Sequence, residues 1–292
     1  MIEGLSIVIC TYNRIELLKK AIASIQQQTI AKWELVVVDN NSSDGTEGYV
    51  KKVIEDDTRI SYFKELRQGV AFARNTGAAH AKYPIIAYLD DDEEADSKWG
   101  EAIYNTFLMN ENVGIVGGPM ILQDRESIPS WVSSKMYSIL GDFQLPFNDG
   151  ESYDIGNGSF PTGNLAVRKD VFQMIDGFCT NKGRKGKILL ADEDTILCKD
   201  VFATGYRLYY NPCAHVRHAL IKERIKPEYF FRNARGLAKT RAKKGKQFSY
   251  IAELLYRMLK LPIDVLFRTK HWFFSIWRIY TAWYKFIYSF QK

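Results

Sequence analysis

A continuous apolar run, Ile85-Ile86-Ala87-Tyr88-Leu89, stops abruptly at Asp90-Asp91-Asp92. A strand that is apolar at nearly every position belongs in a mostly parallel sheet covered by helices on both faces, not in an open antiparallel one. Ligands of such sheets bind outside the carboxyl ends of the strands, so the acidic end of this run is the end to watch. Adjacent carboxylates repel one another unless something positive sits among them. A divalent cation carrying phosphate oxygens is the leading candidate. The plainer alternative is an acidic start to the next helix, with residues 90–96 at its N-terminus.

The segments before this run repeat the same grammar. Residues 5–10 read as a strand, and Ile15, Leu18, Ile22 and Ile25 recur at helical spacing behind Asn13, a suitable N-cap. Leu35 to Val38 form a second strand, Asn40 to Gly45 a turn, and residues 46–54 a second helix. A shorter strand follows at 60–63. Val70, Ala73, Gly77 and Ala81 then outline a helix with a small-residue face that can pack closely on a sheet. Beyond the acidic run, residues 96–110 read as a helix and 113–116 as a strand. Thr11-Tyr12-Asn13-Arg14, Asp39-Asn40-Asn41 and Asp90-Asp91-Asp92 thus each follow a strand and converge on one crevice. No G-x-G-x-x-G follows the first strand and no G-x-x-x-x-G-K-[ST] occurs, which argues against a dinucleotide oxidoreductase and a P-loop enzyme.

Composition sets the surroundings. With 292 residues, 46% of them hydrophobic, the chain can bury one large α/β core with an appendage. Cys10, Cys179, Cys198 and Cys213 are scattered with no C-x-x-C pair, as expected of reduced thiols in a cytoplasmic protein. The first apolar segment is too short, and lacks the preceding basic region, for a signal peptide. Charge is unevenly placed: residues 1–216 hold 22 Lys+Arg against 30 Asp+Glu, whereas residues 217–292 hold 18 against 4. The front is acidic by 8 and the tail basic by 14. A polyanionic partner for the tail follows, either nucleic acid or an anionic membrane surface.

Several short motifs occur in order: Ser6 to Arg14, Val37 to Thr46, Gly69 to Asn75, Leu89 to Asp92, Thr162 to Lys169, Gly177-Phe178, Asp192-Glu193-Asp194-Thr195, Gly205 to Leu208 and Pro212 to His218. Taken together they resemble family 2 glycosyltransferases of GT-A fold over roughly the first three quarters of the chain. The resemblance implies an inverting, metal-dependent transfer of sugar from a nucleotide-sugar to an acceptor hydroxyl in the synthesis of a cell-surface polysaccharide or glycolipid. It implies Asp194 as general base with Glu193 beside it, and Mg²⁺ or Mn²⁺ held by Asp92 with Asp90 and His218. Asp90 or Asp91 would face the ribose. Asp39 would accept a hydrogen bond from the base, which favours UDP, and Tyr12 would stack, within a donor pocket that also takes in Thr11, Asn13 and Arg14. Arg74 and Asn75 would reach the phosphates or support the aspartates, with an ion pair from Arg74 to Asp90 or Asp44 as the structural alternative. Gly163 and Asn164 would border the sugar. Nucleotidyl transfer and non-catalytic binding of a nucleotide-sugar are the competing functions; the first would favour a phosphate-cradling glycine loop after the first strand, and none is there.

The resemblance fades past residue 235, leaving residues 1–235 as the catalytic domain and 236–292 as a basic, aromatic-rich helical tail. Fourteen aromatic residues fall between 247 and 292. Charges such as Arg257, Lys260, Asp264, Arg268, Lys270, Arg278 and Lys285 interrupt every span of bilayer length, which disfavours a transmembrane helix. Amphipathic helices broken at Pro262 and lying on the cytoplasmic face of an anionic membrane are expected; packing on the catalytic domain or an oligomer contact is the alternative. Nucleic acid is not the expected partner, because the strand-end acids would repel its phosphates. Residues 119–160, Trp131 among them, are expected on the acceptor side.

Overall fold

The structure, a computed structural model, describes residues 3–109, 111–147, 150–180, 192–243, 245–266 and 272–290. Of the tail residues named above, Arg268 and Lys270 lie outside these, as do the side chains of Lys260, Pro262 and Asp264. The apolar runs become strands β1 (Leu5–Thr11), β2 (Trp33–Asp39), β3 (Ile60–Lys64) and β4 (Ile85–Asp90). They pair in parallel, with Thr11 level with Asp39 and Cys10 level with Asp90. This register brings the polar ends of three strands to one edge of the sheet.

The remaining strands are β5 (Glu93–Ala95), β6 (Val113–Gly117), β7 (Met120–Leu122), β8 (Tyr153–Asp154), β9 (Asn164–Arg168), β10 (Arg207–Tyr210) and β11 (Val216–His218). The main sheet runs β3-β2-β1-β4-β9-β6-β10-β8, and a small sheet runs β5-β11-β7. Four of the seven neighbouring pairs in the main sheet are parallel. The departures centre on β9, which lies antiparallel between β4 and β6. Because it runs against β4, its first residue, Asn164, stands opposite Leu89, so Thr162-Gly163 enters beside the acidic turn. That turn leads into β5, and the next helix begins only at Trp99.

The helices are α1 (Ile15–Gln26), α2 (Thr46–Asp56), α3 (Val70–His80), α4 (Trp99–Met109), α5 (Tyr137–Leu140), α6 (Lys169–Met174), α7 (Glu193–Ala203), α8 (Pro227–Arg241), α9 (Gln247–Leu266) and α10 (Trp272–Tyr288). Strand residues Ile7, Leu35 and Ala87 pack with Leu18, Ile22, Trp99 and Ile103 of α1 and α4. Val8, Val36, Ile86 and Tyr88 pack on the other face with Ala73, Val171 and Leu197 of α3, α6 and α7. Each fully buried Val, Leu or Ile contributes about 1.5–3 kcal/mol relative to an exposed one, so both faces matter to stability.

The chain divides into two compact units. The first comprises Met1–Ile121, Phe143–Gly183 and Asp192–His218; the second includes Leu122–Asp142 and Ala219–Lys292, and so holds α8, α9 and α10. Leu122, Val132, Met136, Leu140, Phe230 and Phe273 form the second unit's core. Trp131 packs edge-on against Phe230 and Phe273 at centroid distances of 5.6 and 4.4 Å. Pro262 does not divide the tail helix, since α9 continues to Leu266. A proline removes only its own N–H from the ladder, and near a helix end that loss leaves most of the turn's hydrogen bonds intact.

The close approach of α3 to the sheet gives a direct test. A Cβ on Gly77 would lie 2.3 Å from Val8 Cγ1, on a β-branched side chain with little freedom to move. Gly77→Ala should therefore destabilise the protein by about 1–3 kcal/mol despite alanine's better helix propensity. Urea denaturation checks this; a raised or unchanged midpoint would show that α3 is not packed this tightly.

Candidate active site

Two arginines occupy the charge cluster that the sequence left in need of a cation. Arg14 Nη1 donates to Asp91 Oδ1 at 3.0 Å and to Asp92 Oδ2 at 3.1 Å, while Thr11 Oγ1 donates to Asp91 Oδ2 at 2.8 Å. Arg74, buried on α3, donates through Nη2 to Asp90 Oδ1 at 3.0 Å and through Nη1 to Glu193 Oε1 at 3.4 Å. The structural alternative for Arg74 is thus the one realised at Asp90, with Glu193 as an added partner. Arginine suits this place because it stays charged when buried and presents several donors in a fixed plane. Burial pushes the Asp91 carboxyl up to about 6 against the pull of Arg14, with Asp92 adding to the rise.

Glu93, which the sequence reading passed over as part of an acidic run, organises the turn. Its Oε2 accepts the Asp90 backbone N–H at 3.1 Å. Burial raises its pKa well above the usual carboxylate range, and Asp90 and Asp92 raise it further. Gly163 lies close beside it: a Cβ there would come 2.5 Å from Glu93 Oε1 and displace that carboxyl. Gly163 therefore makes room for a carboxyl of the protein itself. The signal that would have found Glu93 is the antiparallel pairing of β5 with β11, which sets His218 opposite it.

That pairing also brings His218 to the acidic turn. Its Nε2 lies 3.6 Å from Asp92 Oδ1, and both side chains are buried. His215, three residues earlier, faces Asp96 at 3.5 Å instead. Among the described residues no group of three or more His, Cys, Asp or Glu is arranged to hold a metal ion. Asp92 and His218 nevertheless fit an ion held by few protein ligands, with phosphate oxygens completing its shell. Asp90 is not drawn into this pair; its carboxylate is held by Arg74.

At the ends of β1 and β2, Asp39 is fully buried and takes Tyr62 Oη–H on Oδ2 and Ser42 N–H on Oδ1, both at 2.8 Å. Tyr62 is a second residue the sequence reading missed. Tyr12 is 45% exposed and available to stack. Asn13 does not cap α1. It adopts a left-handed φ of +52° and accepts the Ser43 N–H at 2.8 Å, while Asp44 Oδ2 takes the Ile15 N–H at 2.9 Å. A carboxylate at this helix end satisfies an orphan N–H and also faces the positive end of the helix dipole, which an asparagine does less well.

Two expected donor contacts belong to the scaffold. Asn75 Nδ2 donates to Phe178 O, and Phe178 N–H donates to Asn75 Oδ1, each at 2.9 Å. Asn164 is fully buried; Nδ2 donates to Pro119 O at 3.0 Å and Ala214 O at 2.8 Å, and Oδ1 accepts from Trp99 Nε1 at 2.8 Å. Both amides are engaged by the protein, as buried polar groups must be. They tie strands and loops together rather than presenting to a donor.

Asp194 sits in the first turn of α7, directly after the residue that Arg74 holds. Its Oδ1 accepts the Thr195 N–H at 2.7 Å. Burial, with Glu193 and Asp192 adding, pushes its carboxyl up to about 6. A carboxylate with such a pKa is mostly ionised at neutral pH yet more basic than an ordinary aspartate, the property required of a general base.

The profile of the family described as "Glycosyl transferase family 2" matches residues 6–172, more than half of the chain. A glucosyl-dolichyl phosphate glucuronosyltransferase of Haloferax volcanii is 29% identical over 226 residues, covering 75% of this chain and 70% of that protein. A GalNAc(5)-diNAcBac-PP-undecaprenol beta-1,3-glucosyltransferase of Campylobacter jejuni is 42% identical over 92 residues, 31% of this chain and 30% of its own length. Against solved structures, a mannosyltransferase from Pyrobaculum calidifontis in complex with GDP-Man and Mn2+ superposes with a TM-score of 0.62 at 18% identity, covering 98% of this chain and 74% of that one. GalNAc-T7 with UDP, GalNAc and Mn2+ gives 0.58 at 16% identity, covering 76% and 44%. The fold shared with these structures is the GT-A fold, and the chain belongs to glycosyl transferase family 2.

Proposed function

We propose that this glycosyltransferase moves a sugar from a nucleotide-sugar to a hydroxyl of a lipid-linked glycan acceptor, by single displacement with inversion at the anomeric carbon. The observation that carries the reading is Asp194, a carboxyl tuned to about 6 and joined through Glu193 and Arg74 to the triple aspartate. Asp194 takes the proton of the acceptor hydroxyl as its oxygen attacks the anomeric carbon. Glu193 keeps the base in place through its contact with Arg74. No second carboxylate is assigned as nucleophile, so one displacement suffices.

Asp92 and His218 would hold the metal, and the imidazole donor favours Mn²⁺ over Mg²⁺. When bound, the ion offsets the negative charge that builds on the departing diphosphate. UDP is the favoured carrier: Asp39 would accept an imide N–H of uracil, in competition with the Tyr62 hydroxyl that now donates to it. Tyr12 would stack on the base. The relatives that act on dolichyl and undecaprenyl carriers support a lipid-linked acceptor here. Such an acceptor would place the enzyme on the cytoplasmic face of an anionic membrane. Among the described residues no helix is long and apolar enough to cross a membrane.

Asp194→Asn should lower kcat by about 10²–10⁴-fold while the Kd for donor stays within about twofold, because a general base acts in the transition state. Near-normal turnover by the folded variant would remove Asp194 from the mechanism. The base works deprotonated, so kcat/KM of the wild type should rise about tenfold per pH unit on the acid side and level off above about 6. A profile flat between about pH 5 and pH 8 would contradict the assignment. Arg74→Ala should destabilise the protein by about 3 kcal/mol, at the lower end for a broken buried pair because Asp90 keeps some solvent contact. Arg74→Lys should recover only part of that loss, as judged by urea denaturation, since a single ammonium cannot reproduce both contacts. An unchanged midpoint for Arg74→Ala would show that the pair does not hold α7.

A further inference from the structure

Within the second unit, α9 turns an apolar face outward and its charges inward. Over residues 247–259 it turns Phe248, Ile251, Leu255, Met258 and Leu259 to solvent, with exposures of 90, 37, 56, 53 and 77%. The spacing of i, i+3, i+7, i+10 and i+11 makes them a single stripe along an α-helix. No charged residue falls on it. The charges of this stretch lie on the opposite face, toward α10: Glu253 pairs with Arg257 and, at 3.5 Å, with Lys285. On the same face Gln247 Nε2 donates to Ser289 O at 3.1 Å. A surface helix in water ordinarily buries its apolar stripe and solvates its charges. Here Glu253 and Arg257 turn inward beside Tyr250 and Leu254, and among the described residues nothing covers the apolar stripe, the kind of exposed patch that marks an interaction surface.

The surrounding charge indicates what that is. Exposed Arg232, Arg235, Lys239, Arg241, Lys243 and Lys246 lead directly into Phe248. Residues 217–292 together carry 14 more positive than negative charges. A second copy of the chain would bring an equally cationic surface to the stripe. An anionic bilayer supplies both complements at once, acyl chains for the stripe and headgroups for the cations.

We propose that α9 lies in the plane of an anionic membrane interface, with the Phe248–Leu259 stripe among the acyl chains and the preceding basic residues against the headgroups. This sharpens the membrane placement proposed above and rests on the described face of α9, independent of the donor and the base. Its consequence for a transferase is that enzyme and lipid-linked acceptor meet in two dimensions.

The test uses the full chain and sucrose-loaded vesicles of phosphatidylcholine, with or without phosphatidylglycerol. The wild type should sediment with the anionic vesicles about tenfold more than with neutral ones, and less as salt is raised. Phe248→Glu with Leu255→Glu and Leu259→Glu should reduce that binding about tenfold or more, with circular dichroism and melting unchanged because the positions are exposed. Lys243→Glu with Lys246→Glu should weaken binding to the anionic vesicles alone. Wild type that stays in the supernatant, or a triple variant that binds as wild type does, would overturn the proposal. So would a wild-type dimer in the ultracentrifuge that the triple variant converts to monomer without any vesicle binding. Donor turnover measured on the same preparations keeps this result separate from the transferase reading, since neither outcome requires the other.

Discussion

The guanidinium of Arg74 joins the end of β4 to the start of α7, holding together Asp90 and a glutamate 119 residues further along the chain than itself. The geometry of the site follows from that contact. The small face of α3 lets the helix sit close against Val8 and Val38, and so carries the arginine beneath the strand ends. Its neighbour Asn75 clamps Phe178 from both sides of the peptide chain, and the Phe178 ring lies 5.5 Å from the guanidinium. Glu193 is thereby fixed, and Asp194, the next residue, inherits its position. A lysine could supply the charge but not the planar pair of contacts.

The acidic turn is accordingly less charged than its sequence implies. Arg14 and Arg74 between them contact all three aspartates, and the raised pKa values of Asp91 and Glu93 keep part of the cluster's protons in place. In the proposed reaction a divalent ion would thus serve the diphosphate rather than the aspartates. That shift moves the expected ion site from the triple aspartate as a whole to Asp92 with His218, where the small sheet meets the turn.

Much of this was legible in the sequence, for identifiable reasons. Strands β1 to β4 are written as apolar runs that end in polar residues, and in a parallel sheet such ends must gather on one side. The order of short motifs carried the family. What escaped was set by pairing between distant segments. Nothing local in residues 164–168 says that β9 runs against β4, yet that direction is what brings Gly163 to Glu93. Asparagine looks the same whether it binds a ligand or bridges strands, so Asn75 and Asn164 were assigned to the donor when the fold uses them as internal ties. Asn13 reads as a helix cap because it lies just before the helix, whereas Asp44 reaches α1 from another loop. In the tail the amphipathic period of α9 is visible, but which face turns inward depends on Lys285 of α10 and on Ser289 just after it.

The central claim is that a nucleotide-sugar is activated in this crevice with the help of a divalent ion. The most direct measurement is binding and sugar release across a panel of UDP-, GDP- and dTDP-sugars, with Mn²⁺ supplied and then removed by chelation. The account predicts at least one donor, a UDP-sugar first among them, that is bound and turned over with the ion present and not after its removal. A panel that is neither bound nor hydrolysed with Mn²⁺ or Mg²⁺, or turnover that continues unchanged in chelator, would contradict it.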